Sequence, residues 1–204
     1  MFEHEISKFK SLNRLAQANG IVILGEAEDA NIPLGELKQA FSLTENIYNR
    51  SISGLFVNDA EKVYEECIAE LCPETVLIHI GESDISAFAN NETAFDECYR
   101  ALIKAIRAKD KRTRIVIVSL KNHDNDAVAA KLNKCLKTIA DSEKCEFVDV
   151  SAKVGSGVKE NRDVMSFLYD IGFDGPLHIK RPLGNLERIL FGCSDWNTTA
   201  TPTA

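Results

Sequence analysis

Two short turns hold most of the side chains in this sequence that could do chemistry: Gly25-Glu26-Ala27-Glu28-Asp29 and Gly81-Glu82-Ser83-Asp84. The carboxylates of Glu26, Glu28, Asp29, Glu82 and Asp84 offer general acid–base groups or hard oxygen ligands for a divalent cation, and Ser83 offers a nucleophile. A third segment, Asp174-Gly175-Pro176-Leu177-His178, puts an acid and an imidazole in one turn, the pair that activates a hydroxyl in serine chemistry. A fourth, Asn49-Arg50-Ser51-Ile52-Ser53-Gly54, ends in a glycine that can carry a turn. Singly, each has an ordinary reading, since glycines close strands and acids at helix starts complement the macrodipole. Their joint placement is what suggests a site.

That placement follows from the elements between them. Short apolar, β-branched runs at 21–24, 47–51, 75–80, 114–119 and 146–150 alternate with segments of helical period at 34–41, 58–71, 92–109 and 124–141. A further helix at 5–18 precedes the first strand and closes at Asn19-Gly20, and another follows Pro182. Asn58 or Asp59, and Asp124, are the expected helix caps. The pattern predicts an α/β fold: a five-stranded parallel sheet of flavodoxin-like order in three α/β/α layers. In such sheets ligands bind beyond the carboxyl ends of the strands where strand order reverses, here between the first and third. The crevice is therefore built from residues 25–29 and 81–84, with residues 51–54 on the same edge because crossovers are right-handed. His79, inside an apolar strand, reads as a buried, hydrogen-bonded histidine.

The 204 residues, 45% of them hydrophobic, suffice for one substantial core. The expected organisation is a single domain over 1–192 and a polar tail over 193–204, in which Trp196 could anchor the tail. Residues 151–163 read as a long loop at the rim of the site. A net charge of −7 opposes binding to nucleic acid or anionic lipid. Acids near the start of the chain and the lack of a long apolar run point to a cytosolic protein that does not cross a membrane. The six cysteines form no Cys-x-x-Cys and no zinc-ligand spacing with histidine, so they read as reduced, mostly buried thiols; no metal or other cofactor is expected.

A glycine turn after strand one, Asn-x-x-Ile-Ser-Gly after strand two, Gly-x-x-Asp after strand three and Asp-Gly with His near the end together resemble the SGNH (GDSL-type) hydrolases over about residues 21–190. The resemblance implies a three-layer α/β/α fold and the serine chemistry of esterases, lipases (acylhydrolases), thioesterases and carbohydrate acetylesterases. It also implies roles. The nucleophile position is Ala27, the acid and base are Asp174 and His178, and the oxyanion donors are the amides of Ala27 and Gly54 with Ser83 in place of an asparagine. Glu26 keeps an acid beside the glycine, Glu82 adds negative charge near the oxyanion, and Asp174 to His178 is one residue longer than the family's spacing.

Three functional readings follow. In the first, the chain is a pseudoenzyme without serine-esterase activity that retains a crevice and binds a small-molecule ligand, a carbohydrate or a protein. In the second, a relocated serine, Ser83, acts on an ester-type substrate. The third is a divalent-cation site on Glu26, Glu28, Asp29, Glu82 and Asp84, with His123 or Asp124 nearby. Oligomeric state is not legible in the sequence.

Overall fold

The five apolar runs pair as parallel strands: β1 Ile21–Gly25, β2 Ile47–Asn49, β3 Thr75–His79, β4 Arg114–Val118 and β5 Glu146–Val148, in the order β2-β1-β3-β4-β5. In this computed structural model residues 2–40, 43–121 and 127–150 are described. Ile21 lies opposite Ile47 on one side and Thr75 on the other, which fixes the register of the central strand. Both faces are apolar and buried, as a parallel sheet requires: Val22, Leu24, Val76 and Ile78 on one, Ile23, Leu77, Val116 and Val118 on the other.

The helices are α1 Glu3–Asn13, α2 Ala27–Ala30, α3 Leu34–Ala40, α4 Val57–Val63, α5 Ile85–Asn90, α6 Glu92–Lys109 and α7 Ala127–Glu143. The chain steps outward from β1 to β2 and then back across the sheet, so right-handed crossovers put α2 and α3 opposite α4, α6 and α7. Packing agrees. Ile6 and Phe9 of α1, the apolar face of α4, the Phe95, Tyr99, Leu102 and Ile106 stripe of α6, and Leu132, Leu136 and Ile139 of α7 form one cluster with Val22, Leu24, Val76 and Ile78. Burial of that cluster, at about 25 cal/mol per Å² of apolar surface, is the main term favouring the fold.

The structure corrects several expected boundaries. α1 stops at Asn13 and not at Asn19-Gly20; at its end the Asn13 side chain donates to the Cys67 carbonyl at 2.7 Å and accepts from the Arg50 guanidinium. β2 ends at Asn49, where its Oδ1 accepts the Ser51 amide at 3.0 Å, although Arg50 and Ile52 amides still bond to β1 carbonyls. The expected 58–71 helix starts at Val57, widens into a π-turn over Tyr64–Ile68 and finishes in a 3₁₀ turn at Ala69–Leu71, with Cys72 left-handed at φ 46°. Its cap is Phe56, not Asn58 or Asp59. The free amide at its start is satisfied instead by Asp84, from another turn. α5 was not foreseen. Among the described residues Cys67, Cys72, Cys98, Cys135 and Cys145 are free thiols, and burial pushes Cys67 up to about 11, so it is protonated and unreactive. The expected loop at 151–163, the helix after Pro182, Asp124, Cys193, Trp196 and the tail lie outside the described residues.

Candidate functional site

The site is built where β1 and β3 end side by side. Gly25 lies opposite His79 in the parallel register, so the turns that follow the two strands meet. Asp29, in the first turn of α2, folds back over Gly25: its Oδ2 accepts the Glu26 amide at 3.0 Å, and Nδ1 of His79 donates to its carboxylate at 2.9 and 3.0 Å. A β-carbon at position 25 would stand 2.0 Å from Asp29 Oδ2, so the glycine is required by this packing and not by turn geometry. Asn49 ties in the second strand, donating from Nδ2 to the Asp29 carbonyl at 2.6 Å.

Glu26 links the two turns. Its carboxylate accepts the backbone amides of Gly81 at 2.6 Å, Glu82 at 2.8 Å and Ser83 at 2.9 Å, and also the Ser83 hydroxyl. Successive amides converging on one point form an anion-binding nest, and here the anion is the protein's own side chain. Gly81 makes the nest possible: its φ of +139° is strained for other residues, and a β-carbon would press on Leu132 at 3.2 Å. Glu26 and Asp29 are nearly buried, each 4% exposed.

Several sequence-predicted residues therefore come together. Glu26, Glu82 and Ser83 are joined by the hydrogen bonds to the Glu26 carboxylate, Ala27 follows Glu26 at the start of α2, and the Ile52 amide bonded to the Gly25 carbonyl at 3.0 Å brings the 51–54 segment to the same edge. Ala27 is the first residue of α2 and is exposed, with a methyl where the resemblance places a hydroxyl. Among the described residues the Ala27 and Gly54 amides have no hydrogen-bond partner, and Gly54 adopts φ +72°. Asp174, His178 and His123 lie outside the described residues. Beside the turns is a cavity of about 140 Å³, lined by Glu26, Glu28, Asp29, His79, Glu82 and Lys121 with apolar neighbours, where Lys121 Nζ is 2.5 Å from Glu28.

The polarity matters for the cation reading. The Glu26 and Asp29 oxygens are engaged by N–H and O–H donors, which orient positive hydrogens where a metal would have to sit. Among the described residues no group of three or more His, Cys, Asp or Glu is arranged to hold an ion. The Ser83 hydroxyl, the proposed relocated nucleophile, donates to Glu26.

Asp84 does a different job. It is 4% exposed, and its Oδ2 accepts the Val57 amide at 3.0 Å, capping α4 from across the fold. Burial pushes its carboxyl up to about 6, against the pull of the Val57 amide and helped by repulsion from Glu26 and Asp59. A folded-state pKa above the ordinary 3.8 means that the folded protein holds this proton more tightly than the unfolded chain. The resulting stabilisation is complete below about pH 4 and disappears as pH rises through about 6. Asp84→Asn, which keeps an oxygen for Val57 but never ionises, is expected to be more stable than the natural chain above pH 6 by roughly 1–3 kcal/mol. The gain should fade toward zero near pH 4. Urea unfolding across that range checks this; a difference independent of pH would mean that ionised Asp84 is not penalised.

Neither the His79–Asp29 pair nor the capping role of Asp84 was legible beforehand, since each joins residues far apart in sequence. The only signal was the placement of an imidazole at the end of a strand beside the acidic turn.

No protein-family model matches the sequence, and no curated protein does. Solved structures do resemble the fold. One, named provisionally as a platelet activating factor from Streptococcus pneumonia, is 19% identical with a TM-score of 0.64, covering 76% of this chain and 77% of that one. A GDSL-like lipase from Bacteroides thetaiotaomicron is 19% identical with a TM-score of 0.59, covering 76% and 82%. A psychrotrophic esterase, EstA, from Pseudoalteromonas sp. is 17% identical with a TM-score of 0.53, covering 64% and 76%. With its five parallel strands in the order β2-β1-β3-β4-β5 and its polar turns at their carboxyl edge, the chain has the fold of the SGNH (GDSL-type) hydrolases.

Proposed function

We propose that this protein binds a small-molecule ligand in the crevice between the β1 and β3 turns and has no serine-esterase activity of its own. The observation that carries the reading is Ala27: at the start of α2, where the resemblance requires the attacking oxygen, the side chain is an exposed methyl. The surroundings support it. The amides of Ala27 and Gly54, without a hydrogen-bond partner among the described residues, could serve a carbonyl or carboxylate oxygen of a ligand, and the Ser83 hydroxyl is held by Glu26. Loss of the nucleophile in a serine hydrolase costs on the order of 10⁶ in turnover.

Hydrolysis of p-nitrophenyl acetate tests the proposal. The natural chain is expected to show no turnover above buffer, and any residual rate should be unchanged in Ser83→Ala and His178→Ala. Turnover abolished by either substitution would restore the chain to the hydrolases, with Ser83 as the first suspect for the nucleophile.

A further inference from the structure

We infer that a second cavity, walled by the start of α4 and by α5 and α6, is a binding site for a small organic ammonium ion, held by the Asp84 carboxylate among the rings of Phe56, Phe88 and Phe95. This goes beyond the crevice reading. The cavity is about 410 Å³, and no residue that lines it also lines the cavity beside Glu26. Its size falls within the range of about 300–1,000 Å³ usual for small-molecule sites.

Three features set the chemistry of the occupant. First, the wall is apolar and aromatic: Phe88 and Phe95 meet edge to face at 5.3 Å between ring centroids, and Phe56 is a large apolar side chain left 39% exposed at the rim. Second, among the described residues the wall contains one carboxylate and no lysine or arginine. Asp84 is 4% exposed and spends Oδ2 on the Val57 amide; among the described residues its Oδ1 has no hydrogen-bond partner. A buried carboxylate without a counter-charge is costly, and its raised pKa reflects that cost. Third, the other polar groups of the wall are the amides of Asn58 and Asn91 and the Cys98 thiol, too few oxygens for the six to eight ligands of a calcium ion. An ammonium group on a hydrophobic body meets all three conditions. It neutralises Asp84, donates to Oδ1, and packs its apolar body against the aromatic wall. A neutral molecule of the same shape gains only the apolar contact, and an anion is repelled.

The test uses the full-length protein, with phenethylammonium and its neutral counterpart 2-phenylethanol as probes, each titrated by calorimetry and by amide chemical shifts. Phenethylammonium is expected to saturate at millimolar concentration or below, shifting resonances of Phe88 and Phe95. The alcohol should bind at least about tenfold more weakly, and Asp84→Asn should weaken the amine by a similar factor. Ala94→Trp, at an exposed position of the wall, fills the cavity without touching Asp84 and should abolish binding while the circular dichroism is unchanged. Equal affinity for amine and alcohol, amine binding unaltered in Asp84→Asn or in Ala94→Trp, or no binding by the natural chain would each overturn the inference.

Discussion

Ala27→Ser is expected to give the chain measurable esterase turnover where the natural sequence has none. A serine at the first position of α2 would place its oxygen just beyond the carboxyl end of β1, on the edge to which the Ile52–Gly25 hydrogen bond also brings the 51–54 segment; the amides of residues 27 and 54 are not otherwise hydrogen-bonded among the described residues. The resemblance assigns these two amides to an oxyanion site, and a backbone donor does not depend on the side chain it carries. What remains deficient is the third donor, because the Ser83 hydroxyl is bonded to Glu26 and is shorter than the asparagine it replaces. One absent donor of this kind costs about 10²–10³. Set against the roughly 10⁶ lost with the nucleophile, restored serine should recover about 10³–10⁴. The rate should vanish again in Ala27→Ser/His178→Ala, which separates triad chemistry from nonspecific hydrolysis of an activated ester. If Ala27→Ser stays silent on p-nitrophenyl acetate, nucleophile loss alone does not explain inactivity, and the crevice is not assembled for acyl transfer.

How far the sequence could lead is clearest at the two turns. The strands were readable because parallel strands are buried on both faces and so appear as continuous apolar runs, such as Ile21-Val22-Ile23-Leu24. Strand order and the right-handed crossover rule then located the crevice with no side-chain information. The long amphipathic helix α6 was legible to the residue, since Phe95, Cys98, Leu102 and Ile106 repeat at helical spacing, although its Asn91 cap, which accepts the Ala94 amide at 3.2 Å, was not read from the sequence. Features that depend on contacts between distant segments were not. Asp84 lies 27 residues from the amide that it caps, and His79 lies 50 from Asp29. The 58–71 segment has helical periodicity, yet Asn13 reaches the Cys67 carbonyl and the backbone there widens into a π-turn. Glu26 shows the same limit. As a sequence feature it was an acid in the place of another acid; as a structural feature it is the acceptor that orders the neighbouring turn.

Removing that acceptor should be among the most damaging single changes outside the core. Glu26→Ala leaves three backbone amides, those of Gly81, Glu82 and Ser83, and the Ser83 hydroxyl without their common partner. Hydrogen bonds to a charged group contribute about 1.5–3 kcal/mol each, and an unpaired buried donor costs about 1–3 kcal/mol. Simple addition overstates the loss, because the Glu82 side chain is exposed and water can reach part of the turn. The Gly81 amide, on a buried residue, is the donor that water replaces least well. A net loss of about 2–4 kcal/mol is therefore expected, read as a lower urea midpoint with an unchanged slope. Glu26→Gln discriminates between shape and charge. Its single carbonyl oxygen can still serve the Gly81 and Glu82 amides, which share Oε1 in the natural chain, but its NH₂ group would confront the Ser83 amide donor to donor. The glutamine variant should thus fall between the natural chain and Glu26→Ala, and hydrogen exchange at residues 81–83 should accelerate in both variants ahead of the strands. If both substitutions leave stability within about 0.5 kcal/mol, as ordinary surface changes do, the turn is ordered by its glycine and its packing on Leu132 rather than by Glu26.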